Sequence, residues 1–294
     1  VEMTMKQYLE EKKQLMDRTL QNYVQRLQIP PALKESMLYS LEAGGKRLRP
    51  ILLMASYEAF NLDIAVTLSS AAALEMIHTY SLIHDDLPAM DDDDYRRGKL
   101  TNHKAFNEAT AILAGDALLT YSFELISKDE KLTPVQKAVL MALLAETSGP
   151  KGMVAGQILD MAAEDKTISL KELEQVHALK TGELLRFAVF AGAYLGGATK
   201  EQLNALETFA FYLGLIFQVQ DDILDVTGDQ AKLGKPVGSD VLNLKSTYPK
   251  LLGLDGAMEQ KEWYVLKAKE ALEKADVANS ELMDLTVYFS QRDH

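Results

Sequence analysis

Two acidic runs carry the chemistry of this chain. They are His84-Asp85-Asp86-Leu87-Pro88-Ala89-Met90-Asp91-Asp92-Asp93-Asp94 and Gln218-Val219-Gln220-Asp221-Asp222-Ile223-Leu224-Asp225, each at the end of an apolar helical stretch. Carboxylates beside buried surface are costly unless a metal ion or a cation compensates them. Two such clusters in one chain predict that they face each other across a cavity and share hard cations. Basic residues follow both: Arg96, Arg97 and Lys99 after the first, Lys232, Lys235 and Lys245 after the second. Acid and base together are what a Mg²⁺-bridged polyphosphate needs.

The spacing sharpens this reading. Gln218, Asp221 and Asp225 recur three and four residues apart, so they form one polar stripe on an otherwise apolar helix. Negative charge at a helix C-terminus opposes the macrodipole, which speaks against a merely solubilising role. Asp85 and Asp91 would lie on different faces of a straight helix, but Pro88 between them predicts a bend that returns both to one side. Asp92, Asp93 and Asp94 read as solvated. Cysteine is absent, and oxygen-only ligands point to Mg²⁺, with Mn²⁺ as a substitute, rather than Zn²⁺.

Other polar interruptions could serve the same cavity. Gly44-Gly45-Lys46-Arg47-Leu48-Arg49-Pro50 is a basic turn entering a helix, where free backbone amides and cations make an anion site that needs no metal. His78 shares a helix face with Asp85 and could add a donor. Gly156-Gln157-Ile158-Leu159-Asp160 and Lys180-Thr181-Gly182-Glu183 break apolar helices; Lys180 offers a cation and Thr181 a neutral oxygen. His103, His177 and His294 have no assigned role.

The elements that must position these groups read as helical almost throughout. Apolar residues at helical spacing predict helices over Tyr8–Leu27, Ala32–Ala43, Ile51–Phe60, Val66–His84, Glu108–Ile126, Pro134–Ser148, Met153–Ala163, Leu170–Tyr194, Lys200–Val226, Ala257–Ala275 and Ser280–Gln291. Strand signals are missing: no Asn-Gly or Asp-Gly hairpin separates alternating runs. The 294 residues, 47% hydrophobic and 25% charged, supply an ordinary core. The expected architecture is all-α, one domain over residues 1–294. A net charge of −12 disfavours nucleic acid and anionic lipid as partners. No unbroken apolar run approaches a membrane span, and Val1–Gln14 lacks the apolar core of a signal peptide, so a soluble cytoplasmic protein is expected.

Taken in order, these motifs resemble the trans-isoprenyl diphosphate synthases over essentially the whole chain. The series runs Gly44 to Pro50, Asp85 to Asp91 with Arg96-Arg97-Gly98 after it, Gly156 to Asp160, Lys180-Thr181-Gly182, and Gln218 to Asp225. The four-residue gap between Asp86 and Asp91, Lys245 to Pro249 and the closing Arg292-Asp293-His294 look like the bacterial farnesyl diphosphate synthase subfamily. The resemblance implies a single bundle of antiparallel helices around a central cavity, as a homodimer. It implies head-to-tail addition of isopentenyl diphosphate to dimethylallyl or geranyl diphosphate through an allylic carbocation, the released diphosphate taking the proton. By motif, Asp85, Asp86, Asp91, Asp221 and Asp225 would hold Mg²⁺, and Arg96, Lys180 and Lys235 would grip the allylic diphosphate. Lys46, Arg49, His78 and Arg97 would grip isopentenyl diphosphate, with Thr181 and Gln218 facing the reacting carbons. Tyr80, flanked by Thr79 and Ser81, would form the floor that limits product length. Val241-Leu242-Asn243-Leu244 departs from the polar residues typical before Lys245, which keeps Lys245 out of the assigned ligands.

Rival readings are a longer-chain prenyl synthase, which a bulky Tyr80 opposes, and a terpene cyclase, which has no need of the Gly44–Arg49 site. A non-catalytic subunit of a heteromeric synthase should have lost motif carboxylates, and both sets are intact.

Overall fold

The structure is a computed structural model and describes residues 3–228 and 245–293. Helices dominate it. In chain order they are α1 (Met5–Gln25), α2 (Pro31–Glu42), α3 (Leu48–Glu58), α4 (Leu68–Asp85), the short α5 (Asn102–Ala105), α6 (Glu108–Ser127), α7 (Pro134–Ser148), α8 (Met153–Ala162), α9 (Leu170–His177), α10 (Glu183–Gly196), α11 (Lys200–Thr227), α12 (Tyr248–Lys274) and α13 (Glu281–Gln291). Reciprocal capping pairs start several of them: Thr4 with Gln7, Ser169 with Glu172 and Thr199 with Gln202 each satisfy amides that the first helical turn leaves unpaired.

The described chain divides into two compact units. The first holds residues 1–54 and 63–142, the second residues 55–62 and 143–294. In the first unit α4 is the core: Ala71 to Leu74, Met76 and Ile77 are fully buried, and α6 packs along it. Close packing of those helices is visible at Gly115 of α6, where a Cβ would lie 2.2 Å from His84 Nε2. By length and composition α6 would suffice to cross a membrane, although Asp116 and Glu124 interrupt its apolar run. Here it lays a buried face on α4 and leaves Ile112 and Leu113 exposed. In the second unit α11 is central and packs against α10, α12 and α13.

Three local features differ from the periodicity reading. A two-stranded antiparallel hairpin pairs Tyr95 with Leu100 and Arg96 with Lys99. Its turn residues Arg97 and Gly98 both take positive φ, 54° and 76°, the backbone that a tight hairpin demands and that Asn-Gly usually supplies. The predicted helix Leu170–Tyr194 is interrupted by a π-helical turn at Ala178–Gly182. Such bulges leave the apolar spacing nearly intact, so periodicity does not reveal them. Finally, α12 begins at Tyr248, well before Ala257, with Gly253 at φ 74° kinking its early turns.

The π-helical turn is wedged between two helices by glycines. Gly214 of α11 lies against Gly182, where a Cβ would come 2.9 Å from the Gly182 Cα; at Gly156 of α8 it would come 2.2 Å from the Lys180 nitrogen. Backbone cannot yield as a flexible side chain does. Gly156→Ala should therefore destabilise the protein by at least the ~1–3 kcal/mol typical of overpacking. Urea unfolding checks this, and a variant as stable as the parent would show that α8 does not bear on the turn.

Candidate active site

In the first unit α4 ends at Asp85, and the chain folds back on itself at once. The Asp91 amide donates to the Asp85 carbonyl at 2.8 Å, and the Asp93 amide to the Asp86 carbonyl at 3.2 Å. The bend predicted at Pro88 is thus a backbone reversal that ties residues 85 and 91 together. Asp86 is buried and engaged: Arg96 Nε donates to both its oxygens, at 3.1 and 2.9 Å, and Arg96 Nη2 adds a bond of 2.6 Å. Burial opposes charge on Arg96, yet Asp86, Asp85 and Asp93 outweigh it and raise the guanidinium above its ordinary value. The hairpin turn sends the next residue elsewhere. Arg97 Nη1 donates to the Gly44 carbonyl, and its guanidinium lies so close to Gly45 that a Cβ there would sit 2.7 Å from Nη1.

That contact joins the basic turn. Gly44 and Gly45 take φ of 98° and 128°, a backbone that only glycine enters without strain. Arg49 Nη1 lies 3.3 Å from His78 Nε2. Burial, together with Arg49, Arg97, Arg96 and Arg47, pushes His78 well below its usual range, so the ring is neutral and accepts from Arg49. Lys46 stands half-buried in the same turn. Of the four residues expected at one anion site, Arg49 and Arg97 both act on His78, Arg97 also reaches the turn, and Lys46 lies within it. Tyr80 is buried and meets the His84 ring edge-on at 5.6 Å between centroids; the Ser81 hydroxyl donates to the His78 carbonyl at 2.7 Å.

The second unit holds a cavity of about 110 Å³, lined among others by Asp160, His177, Lys180, Thr181, Gln218 and Lys245. Lys180 and Thr181 reach it from the π-helical turn. Lys180 Nζ bonds Asp160 Oδ2 at 2.6 Å, and Lys245 Nζ approaches the same oxygen at 3.5 Å. Burial would raise the Asp160 carboxyl, but Lys180 and Lys245 overcome it and hold the group below its usual range. Spacing alone does not pair Asp160 with Lys245, because the two residues are 85 apart in the chain. Gln218 Nε2 donates to Asp222 Oδ1 at 3.2 Å, while Asp222 Oδ2 accepts the Tyr248 amide at 3.0 Å. Asp221 takes an ion pair from Arg292, which also donates to the Phe217 carbonyl at 3.0 Å and lies over the Phe217 ring. Asp225 is buried. Lys232, Lys235 and Val241–Leu244, as well as His294, lie outside the described residues.

The carboxylates suit a hard cation. Mg²⁺ takes one or two carboxylates and completes its shell with water and phosphate oxygens. A backbone bond keeps Asp85 and Asp91 adjacent, and Asp91 is exposed. Among the described residues no group of three or more His, Cys, Asp or Glu is placed to hold a metal ion.

His177 is buried, stacks on Tyr248 with centroids 5.9 Å apart, and is pushed by burial down to about 3. Its native value lies below the unfolded one, so above pH ~6.5 it has no effect on stability. As pH falls below that, the unfolded chain binds a proton that the native ring refuses, and stability is lost down to about 3. His177→Gln should flatten this loss between about pH 6.5 and 4, read by urea unfolding; an unchanged acid limb would place the titration elsewhere.

Comparison with known proteins completes the picture. The family model described as polyprenyl synthetase matches residues 30–284. A farnesyl diphosphate synthase of Geobacillus stearothermophilus is 52% identical over 295 residues, covering 100% of this chain and 99% of that one. A geranylgeranyl diphosphate synthase of Cyanophora paradoxa is 46% identical over 267 residues, 90% of this chain and 89% of that one. The crystal structure of an FPP/GFPP synthase from Zymomonas mobilis superposes with a TM-score of 0.84 at 38% identity, covering 97% of this chain and 98% of that one. With this match and these relatives, the chain belongs to the polyprenyl synthetase family.

Proposed function

We propose that the protein joins isopentenyl diphosphate head-to-tail to dimethylallyl and geranyl diphosphate, forming farnesyl diphosphate. The observation that carries this reading is the cationic cluster of the first unit. Arg97 bonds the Gly44 carbonyl, Arg49 lies against His78, and both guanidiniums help keep that ring neutral; we read this as a diphosphate site built without a metal ligand. A cyclase, which uses one diphosphate substrate, has no need of it. Lys46, Arg49, His78 and Arg97 bind isopentenyl diphosphate there. Lys180 and Arg96, with Lys235, bind the allylic diphosphate; Asp160 and Asp86 hold the first two in place beforehand. Thr181 and Gln218 line the reacting end of that substrate. The family match spans residues 30–284, hence both units, which supports a single catalytic domain.

Asp85, Asp86, Asp91, Asp221 and Asp225 are the residues that would hold Mg²⁺, or Mn²⁺ in its place. Bound there, the ion would neutralise charge on the departing diphosphate and so ease cleavage of the allylic carbon–oxygen bond. The chain's own task is orientation: fixing both substrates removes much of the entropic barrier to their reaction. The exposed Ile112 and Leu113 of α6 support a homodimer, to be checked by light scattering. Substrates of this kind are water-soluble, in keeping with a cytoplasmic enzyme.

Incubation with isopentenyl and dimethylallyl diphosphates plus Mg²⁺ should yield farnesyl diphosphate, and a chelator should abolish it. Asp221→Asn should lower turnover by roughly 10²–10³-fold, the scale for losing one preorganised electrostatic group. Near-parental turnover at saturating Mg²⁺ would refute the metal assignment.

The Cyanophora relative favours a second reading, a longer product. Against it stands Tyr80, buried and braced by His84. If Tyr80 closes the hydrocarbon end of the site, Tyr80→Ala shifts chromatographed products beyond farnesyl diphosphate; an unaltered distribution removes Tyr80 as the floor.

A further inference from the structure

Arg47 stands in the middle of the basic turn, yet its side chain turns inward and is saturated. Its Nε donates to Asp17 Oδ1 of α1 at 2.7 Å, Nη1 to Glu75 Oε1 of α4 at 2.9 Å, and Nη2 to the Leu41 carbonyl of α2. Arg47 is 5% exposed and Glu75 2%. With every nitrogen of the fork engaged inside the protein, this guanidinium is not available to a phosphate. Its backbone is also unusual: φ is 56°, while its carbonyl accepts the Ile51 amide at 3.1 Å as α3 begins. A non-glycine residue persists in the left-handed region only where its surroundings over-determine it. Here three helices do so through one side chain.

The geometry ties this clamp to the anion site. Glu75 and His78 are neighbours on one face of α4, and Arg47 and Arg49 alternate along the turn. Glu75–Arg47 and His78–Arg49 are therefore parallel struts between the same two segments. Glu75 also acts on Arg97: burial pulls that guanidinium down, and Glu75 opposes the pull while Arg47 and Arg96 add to it. A cluster of cations held together before any diphosphate arrives needs an internal counter-charge. Glu75 supplies it from a buried position, and Asp17 supports it from the solvent side.

We infer that Arg47 and Glu75 are positioning residues for isopentenyl diphosphate, fixing where Arg49, His78 and Arg97 stand without touching the substrate. This rests on the diphosphate site proposed above. Steady-state kinetics with each substrate varied in turn separates this role from plain stability. Glu75→Gln should raise KM for isopentenyl diphosphate roughly ten- to a hundredfold, the scale of a small misplacement transmitted from outside the site. KM for the allylic diphosphate should stay within about twofold. Arg47→Gln should behave likewise, and Arg47→Lys should restore part of the loss, since it keeps the charge but not the fork.

A parallel rise in both KM values, or an unchanged value for isopentenyl diphosphate, would overturn the inference. If the buried variants do not fold, half-exposed Asp17→Asn replaces them. It should raise the isopentenyl diphosphate KM alone, by about two- to fivefold, and no change would overturn the clamp. Arg49→Gln distinguishes the two levels. Raised KM in Arg49→Gln beside a silent Glu75→Gln removes the clamp alone, whereas unchanged KM in Arg49→Gln removes the site and the clamp with it.

Discussion

Charges that must meet a polyanion have to be held in place before it arrives, in a protein whose interior resists unpaired charge. Four of the cations proposed to meet the substrates answer that constraint with an internal acceptor. Arg96 rests on Asp86, Lys180 on Asp160, Arg97 on the Gly44 carbonyl, and Arg49 on a neutral His78. A fully formed buried ion pair contributes little net stability, because desolvation offsets the attraction. What these pairs supply is placement. A lysine or arginine already fixed in direction loses less rotamer freedom when the ligand binds, so more of the binding energy remains for the reaction.

The scaffold beneath these pairs depends on close approach of backbones. Gly156, Gly182 and Gly214 let α8 and α11 press against the π-helical turn that carries Lys180 and Thr181. An α-helical continuation through residues 178–182 would rotate those side chains; the extra residue per turn redirects them. Gly44 and Gly45 serve the other unit differently. Their positive φ values let the chain reverse tightly enough for Arg97 to reach a main-chain carbonyl. Rigid elements with glycine at close approaches and at the reversal give side-chain placement that mobile loops would not.

Local spacing made much of the candidate site legible. Pro88 after Asp85 announced the reversal that joins residues 85 and 91, and the Gly44–Pro50 run announced a basic turn at the start of α3. Arg47 is the instructive exception. Its type and position match its neighbours Lys46 and Arg49, yet its partners are Asp17 and Glu75, 30 and 28 residues away. Composition cannot tell a cation that faces a ligand from one that faces the core. The Lys180–Asp160–Lys245 cluster was hidden for the same reason, since it assembles from three distant segments.

Sequence alone determined the helical class, the order of motifs and the absence of cysteine ligands, because these follow from periodicity and residue type. It also determined where most helices stop, since proline, glycine and capping side chains act within a few residues of themselves. Tertiary structure decided which charge meets which. It turned Arg96 to Asp86 and Arg97 to Gly44 at adjacent positions, and it set a π-helical turn where apolar spacing called for an unbroken helix. The physical reason is range: propensity and capping are local, whereas ion pairing and backbone packing depend on segments that only folding brings together.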